Sequence, residues 1–382
     1  MDVTTSAAPR VGNRKAAIVS AAAELFAAQG FSGTGIDRIG ARVGITGPAI
    51  YRHFKGKDAL LAAVVMGTID AFAVSDAARE AGHEQMAADA VAAALDDPAR
   101  LVTYVRERHR LVGVAREALV RGERRLYRPW REAIRRANPG LDADAVAHRQ
   151  LAVLTAMSSV ASRPQPLARP RLDRLLVASM VAVLCVPPVV VGPRPERPTG
   201  WSVPPSRRDR ILTEALRLFR EHGYHGVGID DIGRAAGISG PTVYSHYESK
   251  SEVLVDAFER AGVRVAAAVH DAVAGAASAS DALDRLAASY LEIAADSGDL
   301  ILVTSREAAA LAEADRPRFA RRRGDVLDTW ATVVRELRPG LDHSAVRAVV
   351  GGVLPLMDQM AYALRDPREG VPLVGAWCRG LA

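Results

Sequence analysis

Apolar residues recur along this chain at helical spacing, and no stretch alternates with the period of a strand. Ile18, Ala22, Leu25 and Phe26 stand at i, i+4, i+7 and i+8 on one face of a helix running from about Arg14 to Gln29. Gly30 then supplies the residue that leaves a helix at positive φ. Thr34, three residues before Asp37, has the spacing of a capping box. It predicts a second helix that spans Ile36, Ile39 and Val43 and ends at Gly44. Thr46 is expected to cap a third, with Pro48 in the first turn, where a missing N–H costs nothing. Two short helices joined by a tight glycine turn read as a helix-turn-helix.

The pattern returns 193 residues later without a gap. Ile45-Thr46-Gly47-Pro48-Ala49-Ile50-Tyr51-Arg52-His53-Phe54-Lys55-Gly56-Lys57 is matched by Ile238-Ser239-Gly240-Pro241-Thr242-Val243-Tyr244-Ser245-His246-Tyr247-Glu248-Ser249-Lys250. Gly44 pairs with Gly237, Ile36-Asp37 with Ile229-Asp230, Gly30 with Gly223 and Phe26 with Phe219. So long a period is beyond any solenoid repeat, and predicts two copies of a whole domain.

Past the first copy the chain reads as further helices. Asp58 to about Ala78 leads out, Ala87 to Leu95 follows, and Asp97-Pro98 caps a long helix through Leu119. Tyr127 to Arg136 ends at Asn138-Pro139-Gly140, Asp142 caps a helix to about Ser162, and Arg169 opens the last one. The second copy repeats the plan, with Arg116-Glu117-Ala118 returning as Arg306-Glu307-Ala308, Trp130 as Trp330, and Pro139-Gly140-Leu141-Asp142 as Pro339-Gly340-Leu341-Asp342. Those offsets, 190 and then 200, imply insertions in the loops. The prolines from Pro187 to Pro205 predict a stiff, extended linker. The expected division is therefore 1–60, a first helix-turn-helix domain; 61–186, its helical domain; 187–206, the linker; 207–253, a second helix-turn-helix domain; and 254–382, a second helical domain.

The segment 175–191 is almost wholly apolar and near the roughly 20 residues of a bilayer span. Pro187-Pro188 interrupt it, so it reads as an interface helix and no membrane is expected. A length of 382 residues fits two ordinary domains, and 49% hydrophobic content fills two cores. A formal charge of +6 favours a polyanionic partner only mildly. Two single cysteines, Cys185 and Cys378, argue against a disulfide scaffold or a cysteine metal site. The first residues lack the apolar core of a signal peptide, which points to the cytoplasm. No zinc-protease histidine pair, nucleophile elbow or phosphate-cradling glycine loop is present, so neither an enzyme nor a cofactor is expected.

The pattern Gly, apolar, Thr/Ser, three residues, apolar, Tyr, any, His, aromatic, two residues, Lys, carried by Gly44 to Lys57 and again by Gly237 to Lys250, resembles the DNA-binding domain of TetR-type bacterial transcriptional regulators. The doubled layout resembles tandem mycobacterial members of that family. The resemblance implies an all-α fold of two modules, each a helix-turn-helix head followed by a helical ligand-binding and dimerisation domain. It also implies that residues 143–161 with 172–186 pack on 345–364 with 371–381 as an intramolecular pseudo-dimer, with further self-association left open. The partner implied is a double-stranded DNA operator. Thr46, Tyr51, His53 and Lys57, with Ser239, Tyr244, His246 and Lys250, match positions that touch phosphates in the family. Ala49, Arg52, Thr242 and Ser245 fall where base edges are read. A small hydrophobic or amphipathic effector, lipid-like by the same resemblance, is expected in the helical domains. Its candidate anchors are Tyr104, His109, Arg116 and Trp130 in the first module and Tyr290, Arg306 and Trp330 in the second, with Glu117 and Glu307 beside them. Tyr51 and Tyr244 also admit a partly buried, structural reading, as do the two tryptophans, and the adjacent Arg and Glu anchors admit a merely solvated one.

The copies are not equal. Residues 10–60 carry eight basic and three acidic side chains, a net of +5, whereas 203–253 carry seven of each. Arg52 and Lys55 are replaced by Ser245 and Glu248, and the capping Thr34 by Val227. The first head is expected to hold DNA harder, and the start of the second head's middle helix is in question.

Overall fold

A computed structural model describes residues 11–161, 163, 167–187, 204–364 and 366–380. Among these every regular element is helical. The first module comprises α1 (Val11–Gly33), α2 (Ile36–Arg42), α3 (Gly47–Ile50), α4 (Lys57–Ala71), α5 (Asp76–Ala81), α6 (His83–Asp96), α7 (Pro98–Glu107), α8 (Gly113–Ala137), α9 (Ala143–Ala161) and α10 (Arg169–Cys185). The second comprises α11 (Arg207–His222), α12 (Ile229–Ala235), α13 (Gly240–Tyr244), α14 (Lys250–Ala274), α15 (Ala279–Asp296), α16 (Gly298–Arg306), α17 (Arg316–Leu337), α18 (His343–Ala363) and α19 (Val371–Arg379). Most of the expected linker, 188–203, lies outside the described residues. No helix of the described residues is long and apolar enough to cross a membrane.

Two compact units emerge, Met1–Val74 with Ala93–Arg128, and Ser75–Ala92 with Pro129–Ala382. In the first, α1, α4 and α7 pack together. Ile18, Ala22 and Phe26 are fully buried there, each large apolar side chain contributing about 1.5–3 kcal/mol on burial. The second unit contains the seam between the modules. There α9 lies along α18 in the most extensive helix pairing among the described residues, and α10 packs on α19 and α18. Val146, Val153, Met157 and Val160 on α9 are buried, as are Val346, Val349, Val353 and Met357 on α18. Arg171 of the first module pairs with Asp342 of the second at the edge of this packing.

Several helix ends differ from the expectation. The lead-out helix stops at Ala71, and Ser75 caps a new helix by accepting from Ala78 N at 3.1 Å. The long helix expected through Leu119 breaks after Glu107. A 3₁₀ turn at Arg108–Arg110 and Gly113 at φ 55° redirect the chain into α8, which then runs unbroken through the expected gap before Tyr127. In the second module α14, the counterpart of α4, continues for 25 residues, while the break after Glu107 recurs as a 3₁₀ turn at Ala308–Ala310.

Candidate nucleic-acid interface

Each head is built around one close approach. Gly44 (φ 71°) and Gly237 (φ 72°) turn the chain in the left-handed region between the two short helices. The turn is closed by Ile45 N donating to Gly40 O at 3.0 Å, and by Ile238 N donating to Gly233 O at 2.9 Å. Gly47 and Gly240 then lie so near the middle helix that a Cβ would sit 1.9 Å from Asp37 Oδ1 or from Asp230 Oδ1. Asp37 therefore abuts a glycine and does not act as the capping partner of Thr34.

Thr34 is itself no cap. It is buried, and its hydroxyl donates to Leu25 O and Gly30 O, while Gly35 occupies the N-cap without a side-chain bond. Val227, also buried, fills the same place with an apolar side chain of similar shape. The doubt about the second head's middle helix is overturned, because Asp231 reaches back to accept from Gly228 N at 2.9 Å. The equivalent first-head residue, Arg38, instead donates to Gln29. Thr46 occupies the N-cap of α3 but makes no capping bond, whereas Ser239 accepts from Thr242 N at 3.3 Å.

Behind the turn both heads share a clamp. Lys57 Nζ donates to Phe31 O and Thr34 O at 2.7 and 2.9 Å, 4.3 Å above the Phe31 ring. Lys250 Nζ donates to Tyr224 O and Val227 O at 2.8 and 2.7 Å, 4.3 Å above the Tyr224 ring. Burial pulls both ammonium groups below the ordinary lysine range. A carboxylate from the helical domain completes each clamp, Glu107 accepting from Phe31 N at 3.1 Å and Glu307 from Tyr224 N at 3.4 Å. The lysines expected at phosphates thus hold the head's own carbonyls.

What each head turns outward is the C-terminal end of its third helix and the turn that follows. Tyr51 and Tyr244 are 57% and 55% exposed, which removes the partly buried reading. Arg52, Lys55 and Thr46 are exposed in the first head, as are Ser245, Glu248 and Ser239 in the second. Ala49 and His53, like Thr242 and His246, are half-buried. Residues 18–64 and 211–257 both match the bacterial regulatory proteins of the tetR family. Both heads are DNA-binding domains of the TetR type.

The chain is similar to the HTH-type transcriptional activator FasR of Mycolicibacterium smegmatis, with 39% identity over 14% of this chain and 25% of FasR. The chain therefore spans only a quarter of that relative's length. An uncharacterised HTH-type transcriptional regulator of Mycobacterium tuberculosis, Rv0196, is 28% identical over 46% of this chain and 86% of its own length. Among solved structures, a TetR-family transcriptional regulator from Bordetella parapertussis superposes with a TM-score of 0.43 at 20% identity. It covers 45% of this chain and 94% of its own.

The two TetR-type heads treat their charges differently. In the first, Arg14, Lys15, Arg52 and Lys55 have no ion pair among the described residues, and Lys15 lies 5.5 Å over the Phe54 ring. In the second, the counterpart of Lys15 is Arg208, which lies 4.0 Å over Tyr247 and pairs with Glu252 at 3.1 Å and Asp256 at 3.3 Å. Arg260 extends that network to Asp209, and Arg234 is held by Asp231. Burial acts to raise the Asp256 carboxyl, but hydrogen bonds from Arg260 and Tyr247 outweigh it and hold the group below the usual carboxylate range.

The expected effector anchors do not converge in the first module. Tyr104 is buried with its hydroxyl 2.7 Å from Glu123 and 2.9 Å from Tyr127, and burial raises its pKa. His109, Arg116 and Glu117 are exposed, and Trp130 is buried. In the second module α14 to α18 surround a cavity of about 430 Å³. Tyr290 lines it, but Arg306 and Trp330 do not, and Trp330 is wholly buried in the core. Reasoning on sequence missed Arg316, Arg322 and Arg323, which do line it. It also missed both clamp carboxylates. Their signal was present as Arg106-Glu107 and Arg306-Glu307, exactly in step at the offset of 200 that Trp130 and Trp330 share. The pairing of Glu307 with Glu117 at offset 190 is corrected accordingly.

Proposed function

We propose that the chain is a DNA-binding transcriptional regulator and not an enzyme. In this reading it is a repressor in which one chain presents two unlike recognition helices to an imperfectly palindromic operator. The observation that carries the reading is the exposed set Tyr51, Arg52 and Lys55 at the C-terminal end of α3 and in the turn after it, with no carboxylate paired to it among the described residues. Phosphate neutralisation supplies most non-specific affinity for DNA, and arginine reads guanine edges in the major groove. Paired heads on half-sites about one helical turn, about 34–36 Å, apart normally come from two protomers. Packing of α9 and α10 against α18 and α19 supports a single chain supplying both.

Regulation by a small apolar or lipid-like effector is supported by the second module. Ile301, Thr304 and Ser305 on α16 line the cavity, and Glu307, directly after that helix, is bonded to the second head. A ligand that fits one position of α16 better than another would bias that bond, which is the differential affinity a switch requires.

A rival reading keeps DNA contact in the first head alone and makes the second a structural or sensing partner. Arg208 neutralised by two carboxylates and the exposed Glu248 favour it. Gel shifts with Arg52→Ala and Tyr244→Ala separate the two. Losses from both variants support two reading heads, and a loss from Arg52→Ala alone supports the rival. The mass of the complex on a minimal site is expected to give one chain per duplex, and an obligatory pair of chains would defeat the pseudo-dimer.

A further inference from the structure

Resting on the effector reading, we infer that the cavity of the second module takes an anionic amphiphile, with its chain against the apolar wall and its terminal oxyanion at Arg323. The cavity, about 430 Å³, lies within the range of roughly 300–1,000 Å³ typical of small-molecule sites. Phe258, Ile301, Phe319 and Leu354 give it an apolar wall, and three arginines but no carboxylate stand among its lining residues.

Two of those arginines are engaged. Arg316 donates to Leu311 O at 2.9 Å and Ala309 O at 2.8 Å, and Arg322 donates to Glu259 at 2.8 Å. Arg323 has no hydrogen bond or ion pair among the described residues. The tyrosine of the cavity is not free to compete for a ligand, because Tyr290 donates to the buried Asp358 at 2.7 Å. Burial pushes the Asp358 carboxyl up, opposed by the Tyr290 hydroxyl and by the charge of Arg323, and among the described residues no hydrogen bond or ion pair joins Asp358 to Arg323. A guanidinium on an apolar wall without a paired carboxylate is a group that a ligand carboxylate or phosphate can satisfy with two parallel hydrogen bonds.

The first module makes the point by contrast. At the offset of 200, Arg323 corresponds to Glu123, and Glu123 is held by the Tyr104 hydroxyl at 2.7 Å and faces Arg108 at 3.5 Å. The same helical position therefore carries an acid satisfied within the protein in one module and an unsatisfied base at a cavity in the other. The duplicated domains have diverged in charge where a ligand would be read.

Titration of the full chain with dodecanoate, dodecyl phosphate and dodecanol tests this at matched chain length. One or both anions are expected to bind about tenfold or more tightly than the alcohol, the range of a charged hydrogen bond. Arg323→Met should erase that advantage and leave dodecanol binding unchanged, which also shows the variant folded, and Arg323→Lys should retain part of it. Equal binding of anions and alcohol would overturn the anionic inference and leave an apolar effector standing. An anion preference that survives Arg323→Met would overturn the assignment to Arg323. Binding of none of the three would remove the effector reading of this cavity together with the inference.

Discussion

Lys15 and Arg208 occupy the same place in two copies of one domain, each with its cation over an aromatic ring, yet only Arg208 is bound by carboxylates. The same division runs through Arg52 and Ser245, whose hydroxyl donates to Thr242 O, and through Lys55 and Glu248. Glycine turn, lysine clamp and carboxylate latch are meanwhile common to both heads. Duplication kept the parts that build a head and changed the parts that face outward. Construction and electrostatics can therefore be varied separately.

The largest effects should fall on construction and fall equally. Gly47→Ala and Gly240→Ala each place a Cβ 1.9 Å from an aspartate oxygen, an overpacking worth about 1–3 kcal/mol. Amide exchange should show each variant head losing protection while the other keeps it, and a tolerated substitution in either would break the equivalence. Lys57→Ala and Lys250→Ala should open their heads alike. Each ammonium holds two carbonyls and keeps a third N–H, so a larger loss of DNA affinity from Lys57→Ala than from Lys250→Ala remains the sign of an added phosphate contact in the first head.

Next in size is the outward face. Arg52→Ala should cost about 1–3 kcal/mol of operator affinity if Arg52 reads a base, measured by fluorescence anisotropy on a selected duplex. Ser245→Ala, without a charge to lose, should cost less, and the reverse order would break the asymmetry. Glu248→Lys should tighten binding and steepen log K against log salt by about one unit, because it replaces a repelled carboxylate with a phosphate-neutralising cation. The gain should be greatest at low salt, where the Debye length is about 30 Å at 0.01 M.

The smallest expected effect is acid-dependent. The Gly228 N–H, then Arg234, hold the Asp231 carboxyl below the usual carboxylate range. A depressed folded value means a contribution present above the unfolded pKa, about 3.9, and lost as pH falls through the folded one. The Gly228 amide resonance should titrate below about 3.9, with no counterpart at Gly35 because Arg38 stands where Asp231 does. A midpoint at or above that value would remove the cap from the comparison.

Much of this was legible in the sequence because the heads rely on local rules. Spaced apolar residues, glycines that must turn and prolines in first turns need no knowledge of the rest of the chain. Thr34 misled because cap spacing does not reveal that the side chain is buried, where its hydroxyl turns back to Leu25 and Gly30. The carbonyl partners of Lys57 were not legible because they lie 26 and 23 residues away along the sequence. The Glu107 latch depends on a contact with Phe31, 76 residues away along the chain. Arg323 carries no signal in the sequence, because only the fold shows that it lines the cavity while Arg316 and Arg322 are engaged elsewhere.

The central claim is that one chain brings two heads of unequal charge to one site. Salt dependence of binding by Gly47→Ala and by Gly240→Ala, on the same duplex selected with the wild-type chain, tests it most directly, because each released cation contributes about one unit of slope. The slope should fall far more when the first head is disabled than when the second is. Equal falls, or a larger fall for Gly240→Ala, would contradict it.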